Sequence, residues 1–574
     1  MTSRAGPSVL GGAAAPAGSA PGGSAGAGTA ADAGAAAAPG TIAAPGRAAG
    51  GAAGGLPAGR RRRQAGLAAT RLIPPAVALA VMLWRIGVPS YWRDEAATLA
   101  AARRPFGALI RMLGNVDAVH GAYYAIIWVV VRLGGTGELI TRLPSALAMA
   151  AAAAGLAAIG GRLASPRAGL LAGLVFAALP QVSWYGQDAR PFAMVTALAV
   201  AASYLLVRVL EDGRVPDAGR ARRRWLVAYG LTLSCLGLVN IVGLLIIGAH
   251  GLTIACAGLR PAGRPQAGRR VTRSLVGGWA IAAAAAVAVA SPVIAAAWRQ
   301  RGAEDWLKPP GLAALDDLRR LVGPPALASV ILLIIACAVL HAAAGGRARI
   351  SADWPASVPA LCLPWLLLPP AALLAASLVQ PVYTSRYVLF SLPALALLAG
   401  VALAALGRVA GAAGLILVIL IGLPAQFAVR GQAAHGDNIR RADAIVSMAR
   451  RPGDVVLYAS PAARDLPAAY PDGLAALRDI ALARAPIPAG TLTGTYLPAA
   501  SVARRLAGVR RVWVVEIGAD PFRPPLVRGP HFRIVRKWHP SDIWLLLYRH
   551  RDKPFRYWAP RPAQPAPGTR PTPM

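Results

Sequence analysis

Between about residue 72 and residue 426 the chain is a succession of long apolar runs separated by short polar stretches. A helix needs about 20 apolar residues to cross a hydrocarbon core of roughly 30 Å. Within that core every backbone amide must find its partner inside the protein, and a helix does this within its own segment. The runs at 72–89, 142–160, 166–181, 190–210, 225–239, 240–259, 272–296, 325–343, 356–379, 386–404 and 409–426 therefore predict membrane helices. The stretch 225–259 is too long for one helix and divides near Asn240. Composition agrees: 56% of the 574 residues are hydrophobic and 15% charged, against about 25% charged in soluble domains. The heavy use of Ala, Gly, Arg and Pro is read mainly as a genomic bias of the actinobacterial kind, and secondarily as close packing of small residues in lipid.

The net charge of +36 sits largely in short arginine clusters between apolar runs: Arg60 to Arg63, Arg222 to Arg224, and Arg264 to Arg273. Such clusters mark cytoplasmic loops. No zinc-finger, helix-turn-helix or RNA-binding pattern accompanies them, so a nucleic-acid partner is excluded. Cys235, Cys256, Cys337 and Cys362 all lie in apolar segments and read as small hydrophobes, neither a disulfide framework nor a metal site.

The charge pattern orders the chain. Residues 1–70, Ala/Gly/Pro-rich, predict a disordered cytoplasmic segment. Residues 71–428 form the membrane module, with an external loop at 90–118, and the basic loops 211–224 and 260–273 face the cytoplasm. Counting spans from those loops puts 181–189 and 380–385 outside, together with everything after about 429. The same count leaves the short apolar stretch 119–133 without a net crossing, so it is re-entrant or interfacial, or a neighbouring boundary is misplaced. The expectation is a polytopic α-helical membrane protein of roughly eleven to thirteen spans. Residues 429–559 carry a helix-like stretch, Asn438–Arg450, and strand-like pieces at Asp454–Tyr458, Arg511–Ile517, Phe532–Val535 and Ile543–Tyr548. That alternation predicts a small external α/β domain, followed by a loose Pro-rich tail at 560–574.

Four polar clusters fall on the external side: Arg93-Asp94-Glu95, Asp117 to Tyr124 with His120, Gln187-Asp188-Ala189-Arg190, and Arg386-Tyr387. The spans between them are almost free of charge, and charge at the edge of an otherwise apolar scaffold marks function. Arginines hold phosphate, and a carboxylate can take a proton from an attacking hydroxyl. The same residues have ordinary structural readings: a charged boundary loop for the acidic pair, a packing histidine for His120, an interfacial aromatic belt for the tyrosines, and a loop salt bridge for Asp188.

Taken together, the four clusters resemble the GT-C superfamily of glycosyltransferases, in the branch of protein mannosyltransferases and the aminoarabinose transferase of lipid A. Arg93-Asp94-Glu95-Ala96 matches that family's acidic motif in the first external loop. His120-Gly121-Ala122-Tyr123-Tyr124 matches a His-Pro-Pro-Leu-Tyr-Tyr stretch with both prolines missing and one residue fewer. Gln187-Asp188-Ala189-Arg190-Pro191-Phe192 is close to Gln-Glu-Ala-Arg-Pro-Tyr, and Arg386-Tyr387 and Thr141 to Ala146 match two further stretches. The resemblance covers roughly residues 72–426. It implies a GT-C fold in the cell membrane and a polyprenyl-phosphate sugar as donor, with membrane lipids as neighbours. It implies Asp94 as general base, with Glu95 orienting a substrate hydroxyl or holding Asp94. Arg190 and Arg386 would contact the donor phosphate, Arg93 would pair locally or join them, and Asp188 would hold Arg190. Asp117, His120, Tyr123, Tyr124, Gln187 and Tyr387 complete the expected donor site. No cofactor and no metal is implied, since no three-ligand set is visible by spacing. Mannose or arabinose passed with inversion to a glycan, lipoglycan or protein is the expected reaction. A transporter or flippase of a lipid-linked envelope precursor is the alternative, and it predicts polar residues lining a path through both leaflets.

Overall fold

A computed structural model describes residues 58–211, 218–258, 273–304, 307–344, 358–518 and 531–551, with 524 and 527. The head up to residue 57, residues 212–217 of the basic loop 211–224, nearly all of the basic loop 260–273, residues 345–357, and the end of the chain from 552, with the tail 560–574, lie outside the described residues.

The helices follow the apolar runs. In order they are α1 (Ala58–Leu83), α2 (Arg93–Ala102), α3 (Phe106–Leu113), α4 (Gly121–Gly134), α5 (Glu138–Leu163), α6 (Pro166–Ala178), α7 (Pro180–Gly186) and α8 (Phe192–Glu211). Then come α9 (Ala218–Val239), α10 (Ile246–Gly258), α11 (Arg273–Arg299), α12 (Ala313–Arg320), α13 (Pro325–Ala343), α14 (Val358–Ser377), α15 (Leu392–Ala405), α16 (Arg408–Ala428) and α17 (Ile439–Ala449). Among the described residues seven helices are long and apolar enough to cross a membrane, or eight if α6 and α7 count as one. This is fewer than the eleven to thirteen spans expected. The apolar stretches Ala68–Leu83, Ala118–Gly134 and Ile241–Cys256 are shorter than the rest, and α9 opens with arginines. The chain is a multi-pass membrane protein.

Two sequence expectations change. The single span at 166–181 is broken: α6 and α7 meet at 69°. Pro180 has no N–H to give and its ring clashes with the carbonyl four residues back, so the helix stops at Ala178. Gln426 on α16 donates to the Ala178 carbonyl at 2.9 Å. The stretch 119–133 is a helix, α4, packed against α2. At its start His120 meets Arg190, and at its end Arg132 donates to the carbonyls of Ala102 and Arg104. The division near Asn240 stands, with a short 3-10 turn at Ile241–Leu245.

The bundle packs backbone against backbone through small residues, the mode expected where lipid gives no hydrophobic drive between helices. A Cβ on Gly169 would lie 2.2 Å from the Ala157 carbonyl oxygen, and one on Gly400 would lie 2.3 Å from the Ala172 nitrogen. Buried polar groups inside the bundle are satisfied locally. His250 sits between Ser203 and Tyr229, at 3.0 and 2.9 Å.

The last quarter of the chain is an α/β unit. Strands β1 (Val455–Tyr458), β2 (Arg478–Asp479), β5 (Arg511–Ile517), β6 (Phe532–Trp538) and β7 (Ile543–His550) form a sheet of order β2-β1-β5-β7-β6. A separate hairpin pairs β3 (Leu482–Arg484) with β4 (Thr495–Tyr496). β1 runs parallel to β2 and β5, and β7 is antiparallel to β5 and β6. The four expected strands are present, and the short β2, β3 and β4 add to them. α17 covers one face of the sheet, and α2 shares the core beneath it. Tyr91, Ala96 and Leu99 are buried with Ile439, Val446, Trp513 and Leu547. The loop 90–118 is therefore as much a part of this unit as of the membrane module.

Gly169→Ala and Gly400→Ala are expected to destabilise the bundle by about 1–3 kcal/mol each through overpacking. Gly277→Ala, where a Cβ meets nothing within 4 Å, should not. Denaturation of detergent-purified protein reads the difference.

Candidate active site

The site is built where the turn 86–92, the N-terminus of α2, the turn 187–191 and the start of the 3-10 turn Ser385–Ser391 converge. Successive residues on a helix point about 100° apart, and α2 begins with Arg93-Asp94-Glu95. The three side chains consequently leave in three directions.

Glu95 goes inward. Its side chain and that of Arg142 are both fully buried. Arg142 donates Nε to Oε1 at 2.8 Å and Nη2 to Oε2 at 2.6 Å. Its remaining N–H groups go to the carbonyls of Ile86, Pro89 and Ser90 at 2.8, 2.9 and 3.2 Å. All five guanidinium donors are used. Glu95 Oε1 also accepts from the Ala189 amide at 2.8 Å, which pins the second motif to the first. Burial alone would raise the Glu95 carboxyl. The Arg142 charge and hydrogen bonds, with His435 nearby, outweigh it and hold the group well below its ordinary value. The expected roles of Glu95, orienting a substrate hydroxyl or holding Asp94, are replaced by this one. Its oxygens are already taken, and no surface of it reaches a substrate.

Arg93 goes to the C-terminal unit. Its backbone N, Nε and Nη2 all donate to Asp437, at 2.9, 2.9 and 2.8 Å. The expected local pairing or phosphate contact gives way to an anchor on a residue far along the chain.

Asp94 faces the opening. Its Oδ2 lies 2.8 Å from Arg386 Nη1 and 4.0 Å from Arg190 Nε. Its side chain keeps 21% exposure, whereas that of Arg190 has 8% and that of Arg386 18%. Arg190 is fixed from behind. Its Nη2 donates to His120 Nε2 at 2.9 Å, so the His120 ring proton resides on Nδ1, and its Nη1 reaches Tyr124 Oη at 3.4 Å. Tyr124 donates to Asp117 at 2.8 Å, and Asp117 holds a left-handed backbone at φ 59°, which Asp tolerates better than most residues. Tyr123 is buried beside this group. Tyr387 is half-buried, its ring 6.1 Å from that of Phe192.

Two further expectations are corrected. Gln187 is buried and donates to the carbonyls of Met82 and Trp84, at 2.7 and 2.8 Å, so its amide nitrogen caps α1. Asp188 does not hold Arg190 by a hydrogen bond. Its Oδ1 accepts from Trp92 Nε1 at 3.0 Å and its carbonyl from Ser145 Oγ at 2.6 Å. Burial, with the Glu95 charge beside it, pushes the Asp188 carboxyl well up.

Sequence reasoning missed Arg142 as a functional partner, although its motif was in view. It also missed His435 and Asp437, which no spacing rule connects to residue 94. Glu95, Asp188 and His435 bring one ligand atom each within 4.8 Å of one another, a three-residue group that spacing did not reveal. Both His435 ring nitrogens lack hydrogen-bond partners, as does Asp188 Oδ2. The N/O donor set suits a divalent ion, but Glu95 is held by Arg142. A cation here would sit beside the Arg142 guanidinium, which already neutralises Glu95 and would repel it.

The family model described as dolichyl-phosphate-mannose-protein mannosyltransferase matches residues 122–235. No curated protein matches the chain in a sequence search. Among the solved structures of similar fold are two of ArnT. ArnT from Cupriavidus metallidurans in the apo state is 15% identical with a TM-score of 0.55, over 83% of this chain and 97% of that one. ArnT from the same organism bound to undecaprenyl phosphate is 16% identical with a TM-score of 0.54, over 83% and 97%.

Arg142→Ala strands a buried carboxylate and is expected to cost about 3–5 kcal/mol. The paired change Glu95→Gln with Arg142→Met should cost less, as thermal unfolding would show. The folded Glu95 carboxyl lies below its unfolded value of 4.5. The pair's contribution is thus complete above that pH and lost as pH falls through the lower folded value. Acid unfolding of wild type and the paired variant should diverge only above that range.

The chain thus shares the fold of the ArnT structures, and its residues 122–235 are similar to the mannosyltransferase family.

Proposed function

We propose that the chain transfers a sugar from a polyprenyl-phosphate donor to an acceptor hydroxyl, with inversion, on the extracytoplasmic side of the cell membrane. One observation carries this reading: Asp94 is a partly exposed carboxylate flanked by two arginines, while Glu95 and Asp188 beside it are buried. The donor phosphate competes with Asp94 for Arg386 and Arg190 and takes charge-assisted hydrogen bonds from them. That exchange frees the Asp94 carboxylate at the moment the anomeric carbon arrives. The acceptor oxygen attacks that carbon from the face opposite the phosphate, its proton passes to Asp94, and polyprenyl phosphate leaves with the bonding pair, its charge met by the arginines.

A place for the lipid chain supports the reading. A cavity of about 310 Å³ is lined by Leu318, Leu366, Leu374, Val388, Leu392 and Leu395, among other apolar residues. It lies against the 3-10 turn Ser385–Ser391, whose first residues include Arg386. The ArnT of similar fold was solved with undecaprenyl phosphate, the same chemical class. Mannose or arabinose is the sugar and an envelope glycan, lipoglycan or protein the acceptor, in keeping with the mannosyltransferase segment match.

Membranes given a radiolabelled polyprenyl-phosphate sugar test this. Asp94→Asn should lower transfer by about 10²-fold or more, the usual worth of a general base, with donor binding retained. Equal transfer by both proteins sinks the base. Arg386→Ala removes one charge-assisted contact of about 1.5–3 kcal/mol and should raise the donor concentration at half-saturation by about ten- to a hundredfold. Unchanged saturation removes Arg386 from the phosphate site.

A further inference from the structure

A second cavity, of about 580 Å³, lies in the C-terminal unit. Five arginines line it: Arg450 and Arg451 after α17, Arg511 on β5, Arg536 on β6 and Arg549 on β7. Its floor is apolar and aromatic, with Leu547, Val535 and Trp538, and the Trp538 ring stacks on Trp513 at 5.3 Å. No acidic residue is among its described lining residues. The nearby acid, Asp454, is buried beneath, 3.3 Å from Arg511.

The placement is costly for folding alone. Arg549 stands directly across from Arg511 on one side and Arg533 on the other, and like charges directly opposite in a sheet repel. Among the described residues Asp454 is the acid paired with Arg511, and the cleft's described lining is otherwise cationic and apolar, which suits it to negative charge from outside. Its size is that of a ligand pocket.

Its position narrows the occupant. α17 starts at the membrane end, where the Arg440 amide donates to Ser90 Oγ, and ends about 15 Å away at Ala449, at 1.5 Å per residue. β5 likewise runs from Ile517, next to the Gly518–Asp542 contact and Arg93, about 20 Å to Arg511. The arginines thus gather at the end of the unit remote from Asp94 and the bundle. An acceptor chain that runs from Asp94 along the length of this unit would reach them. Planar guanidinium groups take phosphate or carboxylate in forked pairs, and an indole offers an apolar face to the C–H side of a sugar ring.

We infer that this cleft binds the distal part of the acceptor, a saccharide carrying phosphate or carboxylate groups, while its hydroxyl end reaches Asp94. The inference rests on the sugar-transfer reading for what brings a saccharide here, but its test does not. Full-length protein in detergent is titrated, without donor, with a fluorescent mannan oligosaccharide bearing phosphomonoesters, with the same probe after phosphatase treatment, and with a uronate oligosaccharide. An acidic probe, phosphorylated or uronate, should bind at least about tenfold more tightly than the dephosphorylated one, and more so at low salt, where screening is weaker. The double variant Arg450→Ala with Arg536→Ala changes two exposed side chains and should lose that preference. Arg536→Lys, with Arg450 intact, should keep most of it. Equal binding of the acidic probes by wild type and double variant overturns the inference. So does displacement of the probe by phosphatidylglycerol vesicles at lower concentration than by unlabelled acidic saccharide, which would make the cleft a membrane-docking surface. A loss of sugar transfer in Asp94→Asn changes none of these readings, and a failure to bind leaves that comparison intact.

Discussion

The buried pair of Glu95 and Arg142 organises the site. Removing two charges from solvent is expensive. Here the cost is offset because each N–H of the guanidinium has an acceptor and Glu95 accepts an additional amide. The five acceptors belong to the turn 86–90 and to α2, and the amide belongs to the turn 187–191. One interaction consequently fixes the first span's exit, the helix that bears Asp94, and the loop that bears Arg190. A well-packed apolar pair could match its stability, but it would not set the rotation of α2 with the same precision, because only directional bonds tie all three segments at once.

That rotation explains why a three-residue motif does three jobs. Arg93, Asp94 and Glu95 diverge around the start of α2. The outer two are consumed by anchoring, one to Asp437 and one to Arg142. Asp94 remains, and it meets cations delivered by separate elements, Arg190 and Arg386. The C-terminal unit is part of this arrangement and not an appendage. Arg440 and Tyr470 both bond Glu138 at the start of α5, Tyr470 accepts from the Tyr91 amide, and the Trp184 ring packs tilted against His435. A polypeptide ending near residue 428 would lose the partner of Arg93 and the cover over Glu95.

The spans were legible in the sequence because membrane helices advertise themselves by hydropathy over a fixed length. The end of α6 was less so. A proline inside a membrane run is often tolerated, as Pro144, Pro292 and Pro424 are within α5, α11 and α16, and nothing local distinguishes Pro180, which ends a helix, from these. The polar clusters were legible as a group, and the structure does bring Asp94, Arg190, His120, Tyr124 and Arg386 together. Their individual roles were not, because a side chain's role depends on what it faces. Gln187 looked like a ligand-binding amide, yet it caps α1 through two carbonyls. Glu95 looked like the twin of Asp94, yet burial separates them. His435, Asp437 and the arginine cleft lie in a tail whose sequence shows only strand and helix periodicity, and long-range pairing leaves no trace in spacing.

The division between buried and exposed carboxylates also says what the site can afford to change. Glu95 and Asp188 share a dry environment, where one stays charged because a guanidinium is bound to it and the other is pushed toward its neutral form by the first. Two ionised carboxylates there repel at close range with little water between them, which favours unequal protonation. Asp94 is not buried with them and has solvent on one side and two arginines on the other. A proton acceptor for an incoming hydroxyl has to lose its cationic partners on cue and regain them after turnover, and that exchange is possible only where a phosphate can enter. The buried acids hold the frame because they cannot exchange partners, and Asp94 is suited to chemistry because it can.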